Sequence, residues 1–298
     1  MNQKTVMRPV VFEGVGLHSG KPAKIRLVPE QPNRGIRFKR VDIPEAGLIP
    51  ATVNFVSSTV LATTLCAEGV KVSTTEHLLS ATMALGISNL LIEVDGDEIP
   101  ILDGSAKIFM DRIVDVGILQ QASSRPELII KKPISVSMGD RCAHLLPGEG
   151  FRITSTIKFD HPMILEQTFD FFLDTDFYRT EIAPSRTFGF LKDVDQLHRF
   201  GLALGGSLDN AIVLDDESII NKDGLRFRDE FVRHKVLDAL GDMALLGMPI
   251  RGHLLVEKSG HEMHHRLLTQ LIQSPLHWEI MEMQSSVIPI RKRYAVSV

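Results

Sequence analysis

The chain has 298 residues, of which 44% are hydrophobic and 23% are charged, a composition that is typical of a folded protein and excludes a disordered one. Its net charge of -4, with only a short basic run at 291–293, excludes the electrostatic footprint of a nucleic-acid-binding protein. The first residues do not resemble a signal peptide and no apolar run approaches the length of a membrane span, so we expect a cytoplasmic protein.

The first forty residues predict the start of an antiparallel sheet, with strands at 10–12, 23–28 and 36–40. The glycine-rich turn at 14–20 superficially resembles a phosphate-binding loop. A strand rather than a helix follows it, so we interpret the turn as a hairpin. His18 in this turn is either a substrate contact or, by default, an exposed loop residue.

Residues 73–86 predict a helix, and Glu76 within it has two interpretations. Ser73 and Glu76 have the spacing of a capping box, in which the carboxylate would bind a backbone amide. Alternatively, Glu76 is a general base beside a metal-binding His77. The pattern alone favours the cap. A strand at 89–94, a turn and a helix capped by Ser105 are predicted to follow.

The polar, aperiodic segment 120–126 is interpreted as a linker between domains at 1–122 and 127–298, because the chain length favours two domains. Strands are predicted beyond it at 127–131, 134–137 and 151–159. The less regular region that follows contains the segments 185–190 (strand), 193–200 (helix) and 210–214 (strand).

The segment 230–242 predicts an amphipathic helix with a polar stripe, because His234, Asp238 and Asp242 recur every four residues. His234 and Asp238 at this spacing would bind one metal ion, with Asp242 supporting them from one turn further on. The alternative is the solvated face of a surface helix, with an ion pair between Lys235 and Asp238. Because the two cysteines lie far apart, any metal is expected to use nitrogen and oxygen ligands.

A strand at 252–257 and a helix at 261–273 complete the pattern, and the helix begins with an H-E-x-x-H motif. This motif suggests a zinc peptidase that binds metal through His261 and His265. Two features argue against that function: His261 would lie at a frayed helix start, and the polar His264 occupies an interior position of the motif.

The order of elements in the two halves is similar, which suggests a weak internal repeat. In each half a helix, a strand and a second helix follow in turn. We therefore predict an α+β fold of two similar domains, each a mainly antiparallel sheet packed with two helices. The repeat places His77 and His234 near equivalent helix starts, so both are expected at a domain interface, where ligand sites often lie.

Six motifs together resemble the zinc-dependent UDP-3-O-acyl-N-acetylglucosamine deacetylases of lipid A biosynthesis. The similarity covers essentially the whole chain. The motifs lie at 73–78, 98–105, 185–190, 223–227, 231–238 and 258–261.

The resemblance implies a catalytic zinc site and a role for each residue around it. His77, His234 and Asp238 would bind Zn2+, with water in the open fourth position. Glu76 would be the general base that takes a proton from this water, which reverses the preference for a capping box. The remaining catalytic residues would be Thr187 and Lys235, which stabilise the oxyanion, and His261, which protonates the leaving amine and is oriented by Asp242.

The implied substrate is an acylated UDP-sugar, which requires an apolar groove beside the metal. The expected lining comes from the insert at 188–214, with ordinary core packing as the alternative for each residue: Phe188, Phe190, Leu191, Val194, Ala203, Leu208, Ala211 and Val213. No obligate protein partner is implied, and peripheral membrane contact is left open. Iron in place of zinc, and a non-catalytic protein that binds sugar nucleotides or lipids, are the remaining alternatives.

Overall fold

The structure, a computed structural model, describes residues 1–282, so the basic run at 291–293 lies outside the described residues. It confirms the α+β fold of mainly antiparallel sheets. None of the helices in this range is long and apolar enough to cross a membrane. The helices are α1 (Glu76–Leu85), α2 (Lys107–Val116), α3 (Thr175–Phe177), α4 (Leu191–Arg199), α5 (Glu230–Met243) and α6 (His261–Ile272).

The first half of the chain forms a five-stranded sheet in the order β2-β3-β9-β4-β5. Neighbouring strands are antiparallel except for β4 and β9, which are parallel. The strands of this half are β1 (Asn2–Val6), β2 (Val10–Val15), β3 (Pro22–Pro29), β4 (Ile36–Arg40), β5 (Leu48–Pro50), β6 (Val56–Ser58), β7 (Thr64–Ala67), β8 (Val70–Val72), β9 (Leu90–Asp95) and β10 (Ile118–Ser124).

The second half forms a seven-stranded sheet that contains the same arrangement. Its strands β12-β13-β18-β14-β15 follow the order of the first sheet, with one parallel pair between β14 and β18. The strands of this half are β11 (Glu127–Ile130), β12 (Ile134–Met138), β13 (Arg141–Leu146), β14 (Phe151–Lys158), β15 (Glu166–Phe172), β16 (Phe188–Phe190), β17 (Ile212–Leu214), β18 (Ile250–Glu257) and β19 (Trp278–Met281).

The internal repeat predicted from the sequence is present in this topology. The central strand of each sheet, β9 or β18, is preceded by one helix and followed by another. The preceding helices, α1 and α5, pack against each other, and most of their apolar residues belong to one continuous core, while Phe231 and Val232 at the start of α5 belong to a second, smaller cluster. The helix pair therefore lies where the two halves of the chain meet.

The prediction that 120–126 is an irregular linker is wrong for most of its length. Residues 118–124 form β10, which pairs antiparallel with β1 through Val6 with Ile118 and Thr5 with Leu119. A strand whose side chains are mostly half-buried or exposed shows little hydrophobic alternation, so its partner, more than a hundred residues away, determines its conformation. The domain boundaries at 122 and 127 stay a prediction.

Candidate metal centre and active site

His77, His234 and Asp238 converge where the start of α1 meets α5. The Asp238 carboxylate lies 3.7 Å from Nε2 of His77 and 3.3 Å from Nε2 of His234. Each residue offers a ligand atom within 4.8 Å of the others, and all three side chains are buried. The polar stripe of α5 is therefore buried, which excludes the solvated-face alternative for His234 and Asp238.

The protonation states of these three residues suit metal binding. Burial lowers the pKa of His77 to about 3, and it also lowers the pKa of His234, so both imidazoles are neutral. Burial opposes ionisation of Asp238, but neighbouring groups, among them the positively charged Lys235 at 2.9 Å, outweigh it and hold the pKa of this carboxyl well below its usual range. Two neutral imidazoles and a carboxylate are the ligand forms that a dication requires.

Hydrogen bonding also leaves the histidines available as ligands. Nδ1 of His234 lies 3.0 Å from the Ser185 carbonyl oxygen. Because a carbonyl accepts, this contact puts the proton on Nδ1 and leaves the lone pair of Nε2 free, as in many metal-binding histidines. Nδ1 of His77 is buried and has no hydrogen-bond partner among the described residues. The donor set therefore fits a bound metal ion, and among common protein metals Zn2+ or Fe2+ accepts two histidines and one carboxylate.

Glu76 does not form the capping box that its spacing with Ser73 suggested. It is the first residue of α1, and Ser73 instead contacts Thr64, 2.9 Å between the hydroxyls. The Glu76 carboxylate points into the protein, where Oε2 accepts a hydrogen bond from the Thr63 backbone amide at 3.1 Å. Burial raises the pKa of Glu76 to about 7, close to the value expected of a general base that works near neutral pH.

His261 faces Glu76 across the site and is held by Asp242. Its Nδ1 lies 2.8 Å from Oδ2 of Asp242, and its Nε2 lies 3.8 Å from Oε1 of Glu76. Burial would lower the pKa of His261, but the carboxylates of Asp242 and Glu76 outweigh burial and raise it to about 10. His261 is therefore an imidazolium at neutral pH, although it is buried.

Two further residues complete this network, and sequence reasoning missed the role of both. His264 places its Nδ1 2.8 Å from the same Asp242 oxygen that His261 contacts. Thr63 donates from its hydroxyl to the other Asp242 oxygen at 2.6 Å, while its backbone amide binds Glu76. Thr63 thus joins the two carboxylates. Nothing in the local sequence around Thr63 indicates this role. Asp242 is distant in the sequence, and Glu76 is bound by the backbone amide of Thr63, which every residue type except proline offers.

Lys235 and Thr187 lie at the edge of the metal cluster. The Lys235 ammonium donates to Oδ2 of Asp238 at 2.9 Å, and it lies 5.6 Å from the centre of the Phe188 ring. Burial lowers the pKa of Lys235, but attraction to Asp238 outweighs it and the net shift is upward, so the side chain stays charged. Thr187 is half-buried and lines a cavity that lies above the cluster.

The cavity above the cluster has a volume of about 290 Å³. Of the eight predicted groove residues, Phe188 lines it and the other seven lie outside it. All eight are half-buried or exposed, and Phe188 and Phe190 also pack against a small hydrophobic cluster. Leu191 and Leu208 are about half exposed, at 50% and 47%. The cavity wall also includes residues that were not predicted: Leu17, Thr59, Leu61, Thr74, Arg141, Glu262 and Met263.

The glycine-rich turn is a hairpin between β2 and β3, as predicted, and its amides bind a carboxylate of the protein itself. Glu98 is buried and accepts from the amides of His18 and Ser19, both at 2.8 Å. The default interpretation of His18 as an exposed loop residue is wrong. It is half-buried, its Nε2 has no partner among the described residues, and burial lowers its pKa.

The zinc-peptidase alternative does not fit the structure. His261 and His264, rather than His261 and His265, converge on Asp242, and His265 belongs to neither group of possible metal ligands within residues 1–282. His261 is the first residue of α6, as the motif's position after Ser259 and Gly260 suggested. The H-E-x-x-H motif therefore contributes no residue to the cluster of His77, His234 and Asp238 on α1 and α5.

The fold and the site together define an α+β protein with two similar sheet-and-helix units and a buried two-histidine, one-aspartate centre between them. The chain belongs to the LpxC family, described as UDP-3-O-acyl N-acetylglycosamine deacetylase, whose model matches residues 3–273.

Curated relatives extend over nearly the whole chain. A UDP-3-O-acyl-N-acetylglucosamine deacetylase of Myxococcus xanthus is 48% identical over 98% of this chain and 91% of its own length. The protein of that name from Syntrophus aciditrophicus is 46% identical over 93% of this chain and 88% of its own length. The one from Anaeromyxobacter is 44% identical over 100% of this chain and 97% of its own length.

Proposed function

We propose that the chain is a Zn2+-dependent amidohydrolase that removes the N-acetyl group of UDP-3-O-acyl-N-acetylglucosamine and releases acetate, the committed step of lipid A biosynthesis. The observation that carries the proposal is the buried cluster of His77, His234 and Asp238 with Glu76 and His261 beside it, in a chain of the LpxC family. Deacetylation is also the activity named for the relatives.

In this proposal His77, His234 and Asp238 hold the ion. A bound zinc ion would lower the pKa of a water ligand and polarise the acetyl carbonyl. Glu76 removes the proton from the attacking water, and its position supports this role because its carboxylate is buried beside the ligand His77 and fixed by the Thr63 amide. Its raised pKa makes it a stronger base than an exposed glutamate.

His261 delivers a proton to the nitrogen of the leaving amine. An amide nitrogen leaves poorly until it is protonated, so the reaction needs an acid opposite the base. The imidazolium at His261 suits this role because Asp242 holds Nδ1 and Nε2 faces Glu76 across the site. Thr187 and Lys235 act on the developing oxyanion by a hydroxyl donor and a positive charge, respectively.

The acyl chain lies along the apolar surface of the 188–214 insert. Phe188 lines the catalytic cavity, and Leu191 and Leu208 of the same insert are about half exposed. A long acyl chain that packed on these side chains would remove their apolar surface from water.

The decisive experiment combines metal analysis with a deacetylation assay on the acylated UDP-sugar. We expect about one zinc per chain, loss of acetate release after chelation, and recovery on adding Zn2+. Parallel addition of Fe2+ tests the alternative metal. Full activity after complete removal of metal would refute the proposal. A protein that binds the substrate and releases no acetate with any metal would favour the non-catalytic alternative.

A further inference from the structure

A second cavity lies between the two halves of the chain, at the ends of α1 and α5 remote from the metal cluster. Its volume is about 440 Å³, within the range of sites for small organic ligands. β4 and the C-terminal end of α1 form one wall, and the segment after α5 forms the other. Its apolar lining includes Ile36, Met83, Ile87, Met248 and Pro249.

The charged residues that line this cavity are all arginines, namely Arg34, Arg37 and Arg125, with no aspartate or glutamate among the described lining residues. Arg37 forms an ion pair with Glu30. The guanidinium groups of Arg34 and Arg125 have neither an ion-pair nor a hydrogen-bond partner within residues 1–282. Arg34 and Arg125 therefore bring two positive charges to the lining of one cavity, with no ion pair formed by either.

Two buried polar atoms of the lining also lack partners in the described part of the chain. They are Nε of Arg37 and the hydroxyl oxygen of Ser88. A buried donor without a partner costs about 1–3 kcal/mol, which a ligand group that reached these atoms would relieve. Donors without partners beside two free guanidinium groups make a site that is complementary to an oxyanion.

Capping of α1 does not explain Arg125, although its guanidinium lies close to Gly86 at the end of this helix. The last carbonyl groups of α1 already have donors. Thr82 and Met83 accept from the amides of Ile87 and Gly86, respectively. Ala84 accepts from the Thr175 hydroxyl and Leu85 from the Lys4 ammonium.

The acidic residue near Arg125, Glu127, is bonded to Arg251 instead, at 2.6 Å. Burial lowers the pKa of Arg125, so an anion beside it would stabilise the charge.

We infer that this cavity is a binding site for a small organic oxyanion, a phosphate monoester or a carboxylate, that carries an apolar body. The anionic group binds Arg34, Arg125 and the Ser88 hydroxyl, and the apolar body packs on Ile36 and Met83. The site is separate from the metal centre, because Met83 lies six residues beyond His77 in α1, roughly 9 Å along the helix. A ligand here would contact both halves of the chain.

Calorimetric titration of the metal-loaded protein with 1-naphthyl phosphate, 1-naphthoate and inorganic phosphate tests this inference. We expect the phosphate ester, the carboxylate or both to bind, and inorganic phosphate to bind at least about fivefold more weakly because it lacks the apolar body. Hydrogen exchange should show protection in β4 and at the end of α1. Absence of binding by both naphthyl compounds, or protection confined to the metal site, overturns the inference.

Variants separate this site from the catalytic cavity. Arg34→Gln changes an exposed side chain, and Ser88→Ala removes a hydroxyl that has no partner, so both should fold normally. Each should weaken binding of the naphthyl ligand at least about fivefold. Arg8→Gln, which changes an exposed arginine outside the cavity, is the matched charge control and should leave binding unchanged. Equal affinity in all four proteins would refute the site.

Discussion

At the scale of single residues, the charge of His261 depends on the carboxylates around it. Burial favours the neutral imidazole, but Asp242 and Glu76 raise the pKa of His261 to about 10. In the unfolded chain the pKa of a histidine is about 6.5, so protonation of His261 favours the folded protein. This stabilisation is complete below about pH 6.5. This stabilisation is lost as the pH rises through about 10. His261 therefore keeps its proton throughout the neutral range, where an acid catalyst needs it.

Replacing Asp242 by asparagine should move the alkaline limb of the pH profile of kcat/KM to lower pH by more than about one unit. The reason is that an amide cannot provide the negative charge that holds the proton on His261. The measurement is kcat/KM from about pH 6 to about pH 11, with folding checked by circular dichroism. Asp140→Asn, at an exposed ion pair with Lys258, is the control. An unchanged alkaline limb would show that Asp242 does not set this pKa.

Glu76→Gln tests the general base while leaving the metal ligands in place. Glutamine has nearly the same shape and keeps an oxygen for the Thr63 amide, but it cannot take a proton at neutral pH. We expect kcat to fall by about 10²–10⁴ with metal content unchanged. His77→Ala, the comparison variant, should lose metal as well as activity. If Glu76→Gln also lost its metal, the carboxylate would have a role in binding the ion.

Thr63→Val tests whether the hydroxyl positions Asp242. Valine preserves the volume but leaves Oδ1 of Asp242 without its 2.6 Å donor, while the amide contact to Glu76 is retained. A buried carboxylate oxygen without a donor should reduce kcat by about tenfold, with little change in KM, because the His261 ring is then less well oriented. Thr63→Ser keeps the hydroxyl and should restore activity. Equal loss in both variants would assign the effect to packing instead.

At the scale of secondary-structure elements, the site depends on how closely α1 and α5 approach. A Cβ added at Gly241 would lie 2.7 Å from the Glu76 carbonyl carbon, a distance that side-chain rotation cannot relieve. Gly241 therefore allows the first turn of α1, which carries Glu76 and His77, to lie against the α5 face that carries Asp238 and Asp242. Glycine here serves close packing, although alanine would favour the helix itself.

Gly241→Ala should separate the two helices and displace the proposed metal ligands relative to one another. Overpacking of this kind destabilises a protein by about 1–3 kcal/mol, measured as the free energy of unfolding in urea. Metal affinity should fall as well, because His77 moves away from His234 and Asp238. Gly47→Ala is the control, since its new Cβ would lie 3.4 Å from the nearest atom, a side-chain oxygen of Glu68. Unaltered metal affinity in Gly241→Ala would contradict this account of the packing.

Elements that carry their own periodic pattern could be predicted from the sequence, and elements defined by a distant partner could not. The helix predicted at 230–242 is α5 at Glu230–Met243, because its apolar spacing is local. β10 was taken for a linker because only its pairing with β1 makes it a strand. The capping box at Ser73 failed for a related reason: tertiary contacts of Glu76 outweigh a local capping bond.

The same distinction applies to the site. The four-residue spacing of His234 and Asp238 indicated a possible pair of metal ligands, but proposing His77 as the third needed the repeat and the family resemblance. Thr63 and His264 gave no signal, because each acts through Asp242, which lies 179 residues from Thr63 and 22 residues from His264. Local spacing predicts ligands on one helix, whereas the supporting hydrogen bonds depend on the assembled fold.

At the scale of the whole molecule, the repeated topology explains why the proposed metal site draws on both halves of the chain. Each half supplies a central strand preceded by a helix, and the two helices meet face to face. The proposed ligands are consequently divided, with His77 in the first half and His234 and Asp238 in the second. A metal bound by all three would connect segments that are more than 150 residues apart.

Removing the metal should therefore lower the stability of the whole chain. A ligand that binds only the folded state stabilises it by about 4 kcal/mol when its free concentration is 1,000-fold above Kd. We expect chelation to lower Tm by several degrees in differential scanning calorimetry, and Zn2+ to restore it. His77→Ala provides the control, because it removes the ligand contributed by the first half and should show a smaller response to chelator. A wild-type Tm that is the same with and without metal would mean that the ion does not link the two halves.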